Sequence, residues 1–321
     1  MTARGMRTKP RPGKGKRPPD AARWARPGFT AAGVAAVVVA AIVVTVVLLN
    51  RGDVDGGGHQ GALGRLPGED PGIAHVHGLG VDPADGTLYA ATHYGLFRIP
   101  EGGKATRVAN RYQDTMGFTV VGPRHFLGSG HPDPRENLPP RLGLIESTDG
   151  GETWKTLSLS GEADMHSLEF RHGRVYGYDS ASGRLMVSTD RTSWDRRASV
   201  PLADLAVSPS RAETILATTE RGLARSTDGG RTFSPVANAP ALIALAWPTG
   251  RVLYGAGADG SVYASTTGGD TWQPRGRLDG QPEAIAAPDE NRLIAATGTG
   301  IHASVDGGRT FNLRYRDGNH S

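Results

Sequence analysis

Residues Ser147-Thr148-Asp149-Gly150-Gly151-Glu152-Thr153-Trp154 form a unit that the chain repeats. Ser226 to Phe233 (STDGGRTF) and Ser304 to Phe311 (SVDGGRTF) are full copies, Ser265 to Trp272 carries Thr267 in the Asp place, and Ser188 to Trp194 is a shortened copy. The copies start at residues 147, 188, 226, 265 and 304, so the steps are 41, 38, 39 and 39 residues. A fixed period of this size is the signature of a repeated supersecondary unit such as a propeller blade. Each copy reads as a hairpin turn: the Asp carboxylate accepts turn amides, the Gly pair supplies positive φ, and the closing aromatic packs between neighbouring units. Asp149, Asp190, Asp228 and Asp306 are therefore expected to be structural acids.

Apolar alternation places the remaining strands. Each unit opens with a strand such as Gly78-Leu79-Gly80-Val81 or Leu205-Ala206-Val207, and a second follows after a turn, such as Leu88-Tyr89-Ala90-Ala91 or Ile215-Leu216-Ala217-Thr218. A third strand runs into the box and a fourth leaves its aromatic. Gly95 to Gly103 aligns with Gly222 to Gly230 and is a decayed box, which gives six units over residues 73–316. Four strands in about 40 residues describe one blade, so the expected fold is an all-β, six-bladed β-propeller. Both ends complete their own blades, which leaves the mode of ring closure open.

The octapeptide resembles the Asp-box, or BNR, repeat of sialidases and many other bacterial propellers. The apolar segment before the repeats, the HVHGL run at His75–Leu79 and the GHPDP run at Gly130–Pro134 extend the likeness to bacterial membrane-anchored propellers described as sialidase-like or glycosyl-hydrolase-like. The resemblance implies the fold; chemistry must be argued from a site. Phe97-Arg98-Ile99-Pro100 spells a sialidase arginine motif, but the alignment puts it on a third strand, away from the channel. The opening strands show neither an arginine triad nor a Tyr-Glu nucleophile pair.

Residues 1–28 hold nine Lys or Arg and one acid, Asp20, a composition that builds no core. Phe29 to Leu49 follows, 21 residues without a charge, long enough to span a bilayer as one helix. The basic arm then reads as a topology signal, with residues 1–28 cytoplasmic and the rest outside, as a single-pass membrane protein. The run exceeds a usual signal-peptide core and no small-x-small cleavage site follows Leu49. Residues 50–72 read as a Gly-rich tether, 73–316 as the propeller and 317–321 as a tail. The formal charge of +4 comes from the arm: the remaining 27 basic and 31 acidic residues leave the external part at −4, which argues against nucleic acid as a partner. With no cysteine, disulfides, iron–sulfur clusters and thiol catalysis are excluded.

Unusual residues gather on the first three units. Flanking their opening strands stand His75 with His77, Asp114 with Met116, and Asp164 with His166; the matching places in the last three units hold Pro201 with Ala203, Ala241 with Ile243, and Gln281 with Glu283. Period-two alternation puts each pair on one side of its strand. At the ends of the second strands, His93 aligns with His131, and Asp179 with Ser180 takes the same place in unit three. Antiparallel pairing brings all of these to one mouth of the channel, next to an insertion, His131 to Arg141, that reads as a lid.

This pattern supports a tethered binding propeller, expected as a monomeric domain, whose ligand-binding residues are His75, His77, His93, Asp114, Met116, His131, Asp164, His166 and Asp179. Imidazoles from His77, His93, His131 and His166 suit copper or zinc better than calcium, with a small polar ligand or a glycan as other occupants. The alternatives are a glycoside hydrolase using Asp114, Asp164 or Asp179 as acid and base, and a scaffold for protein assembly, as in the Asp-box photosystem assembly factors that the repeat also resembles.

Overall fold

The computed structural model describes residues 70–316 and, apart from them, only Met1. The arm, the apolar run 29–49, most of the tether and the tail lie outside the described residues. Among the described residues no helix is long and apolar enough to cross a membrane.

Six four-stranded antiparallel sheets, each in sequential order, form the six blades. Their inner strands are Val76–Val81, Asp114–Gly122, Met165–Arg171, Leu202–Val207, Ala244–Thr249 and Pro282–Ala286. These line the channel, and each is followed by second, third and outer strands of the same blade. The core is distributed rather than central: six apolar clusters fill the six interfaces between blades. Trp154, Trp194 and Trp272, the closing aromatics of blades two, three and five, each pack into the cluster shared with the preceding blade. Arg98, on the third strand of blade one, is exposed, pairs with Tyr89 and Thr106, and does not line the channel.

The boxes are hydrogen-bonded turns. In blade two, Ser147 Oγ donates to Asp149 Oδ1 (2.8 Å), Thr153 N–H donates to the same oxygen (3.0 Å), and Gly151 N–H donates to Ser147 Oγ (2.8 Å). Asp228 and Asp306 repeat this pattern. In blade five the Thr267 hydroxyl stands in for the carboxylate, accepting from Thr271 N–H at 2.9 Å. Asp190, in the short copy, accepts from Thr192 and Ser193 N–H (2.8 and 2.7 Å). Gly151 is favoured by its φ of +90°, and a Cβ there would also displace the tip of Leu96 of the preceding blade, 2.5 Å away.

Ring closure needs no strand exchange. Blades six and one meet through Ala284, Ile294, Ala296 and Ile301 on one side and Val76, Leu88, Ala90 and Phe97 on the other. Each inner strand is a sheet edge whose unpaired N–H groups require acceptors, and at four of the six interfaces a side chain of the preceding blade supplies one. Val76 N–H donates to Glu283 (2.9 Å), Met165 N–H to Ser129 Oγ (3.0 Å), Val207 N–H to Glu169 (2.7 Å) and Leu245 N–H to Asp204 (2.8 Å).

Candidate functional site

Five of the six inner strands carry a register shift at the same end. The residues passed over are His77, Met116, His166, Ala203 and Glu283. A bulge adds one residue on one strand and re-aims its side chain. The paired residues thus meet at the mouth by a route other than simple alternation: the His75 and His77 rings pack edge to face, with centroids 4.9 Å apart.

The sequence-predicted residues divide into two groups. In the first, His77 Nε2 lies 3.1 Å from His93 Nδ1 and 3.5 Å from Asp114 Oδ1, and His93 Nδ1 lies 3.1 Å from that same oxygen. Among the described residues, this is the group of three or more His, Asp or Glu donors whose ligand atoms all lie within 4.8 Å of one another. Burial pushes His77 down to about 4 against the pull of Asp114, so its imidazole is neutral at pH 7 with a lone pair available. Burial alone would raise the Asp114 carboxyl, but its hydrogen bonds with His77 and His93 outweigh this and hold it well below the usual carboxylate range. His75 turns instead to Glu283 (3.3 Å), whose hydrogen bond raises the imidazole's pKa.

In the second group, His166 Nε2 donates to Asp164 Oδ2 (2.8 Å), Ser180 Oγ donates to the same oxygen (3.2 Å), and His131 Nε2 lies 3.6 Å from it. His131 Nδ1 donates to the Pro140 carbonyl (2.7 Å). Asp164 is buried, yet its Oδ1 has no hydrogen-bond partner. Burial opposes ionisation of this carboxyl too, and the His166 hydrogen bond overrides it, leaving the pKa lowered. The metal-ligand set expected from sequence is therefore split: His77 and His93 meet on Asp114, whereas His131 and His166 meet on Asp164.

Asp179 is occupied in a turn, accepting from the N–H groups of Asp164 (2.9 Å) and Ser182 (3.2 Å). Met116 is buried at its bulge. The His131–Arg141 insertion is pinned rather than loose. Buried Asp133 accepts from Tyr112 N–H (2.7 Å) and from Arg135, whose guanidinium also reaches the Asn110 carbonyl (2.7 Å), and Arg111 pairs with Glu136 (2.7 Å). It forms a fixed wall beside the mouth.

Sequence reasoning passed over three channel acids, Glu169, Asp204 and Glu283. Asp204 and Glu283 are each the one acid on an otherwise apolar inner strand, which was the available signal, whereas Glu169 shares its strand with His166, Ser167 and Arg171. Burial pushes Asp204 up to about 7 against hydrogen bonds from Leu245 and Leu205 N–H and the Ser167 hydroxyl, and burial raises Glu169 despite Arg171. His75, His77, His166, Asp204 and Glu283 all line a channel cavity of about 450 Å³.

A family profile described as BNR/Asp-box repeat matches residues 145–156, the box of blade two. No curated protein matches the chain. Among solved structures, the chain is similar to an ancestral GH74 enzyme at 16% identity and a TM-score of 0.51, over 79% of this chain and 40% of that one. It is also similar to the GH74 xyloglucanase of Xanthomonas campestris (19%, TM-score 0.49, 75% of this chain and 45% of that one). In the nidogen/laminin complex the matched chain is 12% identical with a TM-score of 0.56, over 72% of this chain and 93% of that one. At these identities the likeness is one of fold, and the chain spans less than half the length of either GH74 enzyme.

Proposed function

We propose that this six-bladed Asp-box propeller is a membrane-tethered, extracytoplasmic metal-binding protein, and that His77 Nε2, His93 Nδ1 and Asp114 Oδ1 hold a divalent transition-metal ion at the channel mouth. The triangle of donor atoms carries this reading. Four ligands at the usual zinc distances stand about 3.3–3.4 Å from one another in a tetrahedron, and the three separations here are 3.1, 3.1 and 3.5 Å. The donor set is two imidazoles and one carboxylate, which suits zinc or cupric copper and halves the charge of the ion. His93 is 43% exposed, so the fourth position faces solvent, where an ion would polarise a bound water or a small ligand.

The carboxylates favour binding over glycoside hydrolysis. A hydrolase of that class needs one carboxyl that keeps its proton near neutral pH. The expected acids Asp114 and Asp164 are both shifted towards the ionised form, and Asp204, which burial does push up to about 7, is engaged as acceptor of the Leu245 and Leu205 N–H groups and the Ser167 hydroxyl. The uncharged run 29–49 behind nine basic residues supports the tether and an extracytoplasmic mouth.

Zinc binding by the full chain in detergent micelles, followed by calorimetry after chelator treatment, tests the site. One ion per chain is expected, with loss of more than tenfold in affinity in His93→Ala and in Asp114→Asn. Wild-type protein that takes no zinc below about 10 μM, or a His93→Ala variant that binds as wild type does, overturns the reading.

A further inference from the structure

We infer that the mouth carries a second ion site one blade further round the ring, selective for a softer cation, built from His131 and Asp164 with Met116 in the place that His77 holds in the first. It extends the reading above from one ion to two, yet rests on different residues.

Register establishes the relation. In blade one Val76 pairs with Thr92 and Gly78 with Ala91, leaving His77 as the bulged residue and His93 as the next residue beyond the second strand. In blade two Thr115 pairs with Gly130 and Gly117 with Ser129, so Met116 corresponds to His77 and His131 to His93. In blade three Met165 pairs with Asp179, so Asp164 stands where Asp114 stands in blade two. The first site takes its bulge residue and second-strand end from one blade and its carboxylate from the next. Moved on by one blade, the same rule selects Met116, His131 and Asp164.

The geometry of the second set also points to a cation. A carbonyl oxygen only accepts, so the Pro140 contact makes His131 Nδ1 the protonated nitrogen of the neutral ring and leaves a lone pair on Nε2. Ligating histidines are characteristically oriented in this way, through the other ring nitrogen. That lone pair faces a carboxylate oxygen at 3.6 Å, beyond hydrogen-bonding range but near the edge of a coordination polyhedron. His166 and Ser180 both donate to this oxygen and fix the carboxylate. The other oxygen, Asp164 Oδ1, is buried without a donor, an unfavourable state for an anion that a cation beside the carboxylate offsets. Exchange of an imidazole for a thioether is the change that moves preference from zinc towards cuprous copper.

Two titrations on the full chain in micelles separate the sites. Zinc should bind once and be lost in His93→Ala. Cuprous ion, delivered anaerobically from a chromophoric chelator, should occupy a site that His131→Gln abolishes and Met116→Leu weakens at least tenfold, both with wild-type circular dichroism and melting. Cuprous binding that neither substitution alters, or none below micromolar free ion, overturns the second site and leaves the first standing. Zinc binding that fails while cuprous binding depends on His131 and Met116 overturns the first site alone. Because Met116→Leu nearly preserves volume, it remains informative if His131→Gln disturbs the wall loop.

Discussion

Removing the Glu283 side chain should loosen the ring at its only seam between the first and last blades. Glu283 Oε2 accepts the N–H of Val76, a residue 3% exposed, and Oε1 pairs with His75 at 3.3 Å. In Glu283→Ala the buried amide is left without an acceptor, which costs about 1–3 kcal/mol. The half-exposed His75 pair adds at most about 1 kcal/mol. The resulting loss of about 1–4 kcal/mol corresponds, at roughly 2–4 °C per kcal/mol for a domain of this size, to a melting point lower by about 2–16 °C. Calorimetric melts of wild type, Glu283→Ala and Glu283→Gln give the answer, since Gln keeps an oxygen that can accept from Val76 and should recover most of the loss. A melting point for Glu283→Ala within a degree of wild type, or a Gln variant as weak as Ala, refutes the assignment of Glu283 as the stitch across the seam.

The other predictions concern the ion, the channel, the boxes and topology. Zinc at a hundredfold excess over its Kd should stabilise the domain by about 2.7 kcal/mol, raising the melting point by several degrees, and a chelator should reverse this in wild type but have no effect in His93→Ala. Asp204 titrates near 3.9 when unfolded but near 7 when folded. Its contribution to stability is therefore full below about pH 4 and is lost as pH rises through about 7; urea melts at pH 4.5 and 7.5 should show a smaller fall in Asp204→Asn than in wild type. Asp149→Ala should lower stability by about 1–2 kcal/mol through the lost turn bonds while leaving zinc affinity unchanged; a selective loss of zinc would assign the box acids a binding role. Protease added to intact cells should remove the propeller and spare residues 1–28, and a protected propeller would reverse the proposed orientation.

The blades were legible because the period, the box chemistry and the apolar alternation are all local signals that agree. The gathering of His and Asp on blades one to three was legible for the same reason, since positions equivalent in the repeat must lie at the same height on the ring. The partition of that gathering was not. His166 looks interchangeable with His77 in an alignment, but His77 meets the carboxylate of the next blade, Asp114, whereas the matching place in blade four is Pro201, and His166 turns to Asp164 of its own blade at 2.8 Å. Nor do bulges leave a mark in the sequence, although one extra residue decides where His77, Met116 and Glu283 sit. Glu283 in particular looked unremarkable because its partner, Val76, stands 207 residues away. Ring closure turned on that long-range contact, which no local pattern encodes.

Because every blade owns all four of its strands, the connection between any two blades is chemically equivalent to the gap between the last and the first. Ile73 and Tyr315 already belong to one apolar cluster, so a short linker could join them while the chain is opened elsewhere, for instance between Ser199 and Leu202. Such a circular permutant keeps every sheet intact and every hydrogen bond across the interfaces. It converts the former seam into a tethered junction and makes the interface of blades three and four, held by Glu169 and Val207, the new point of closure. Comparing the unfolding rates of the two chains would measure how much of the ring's persistence lies in the linkers and how much in the side chains between blades.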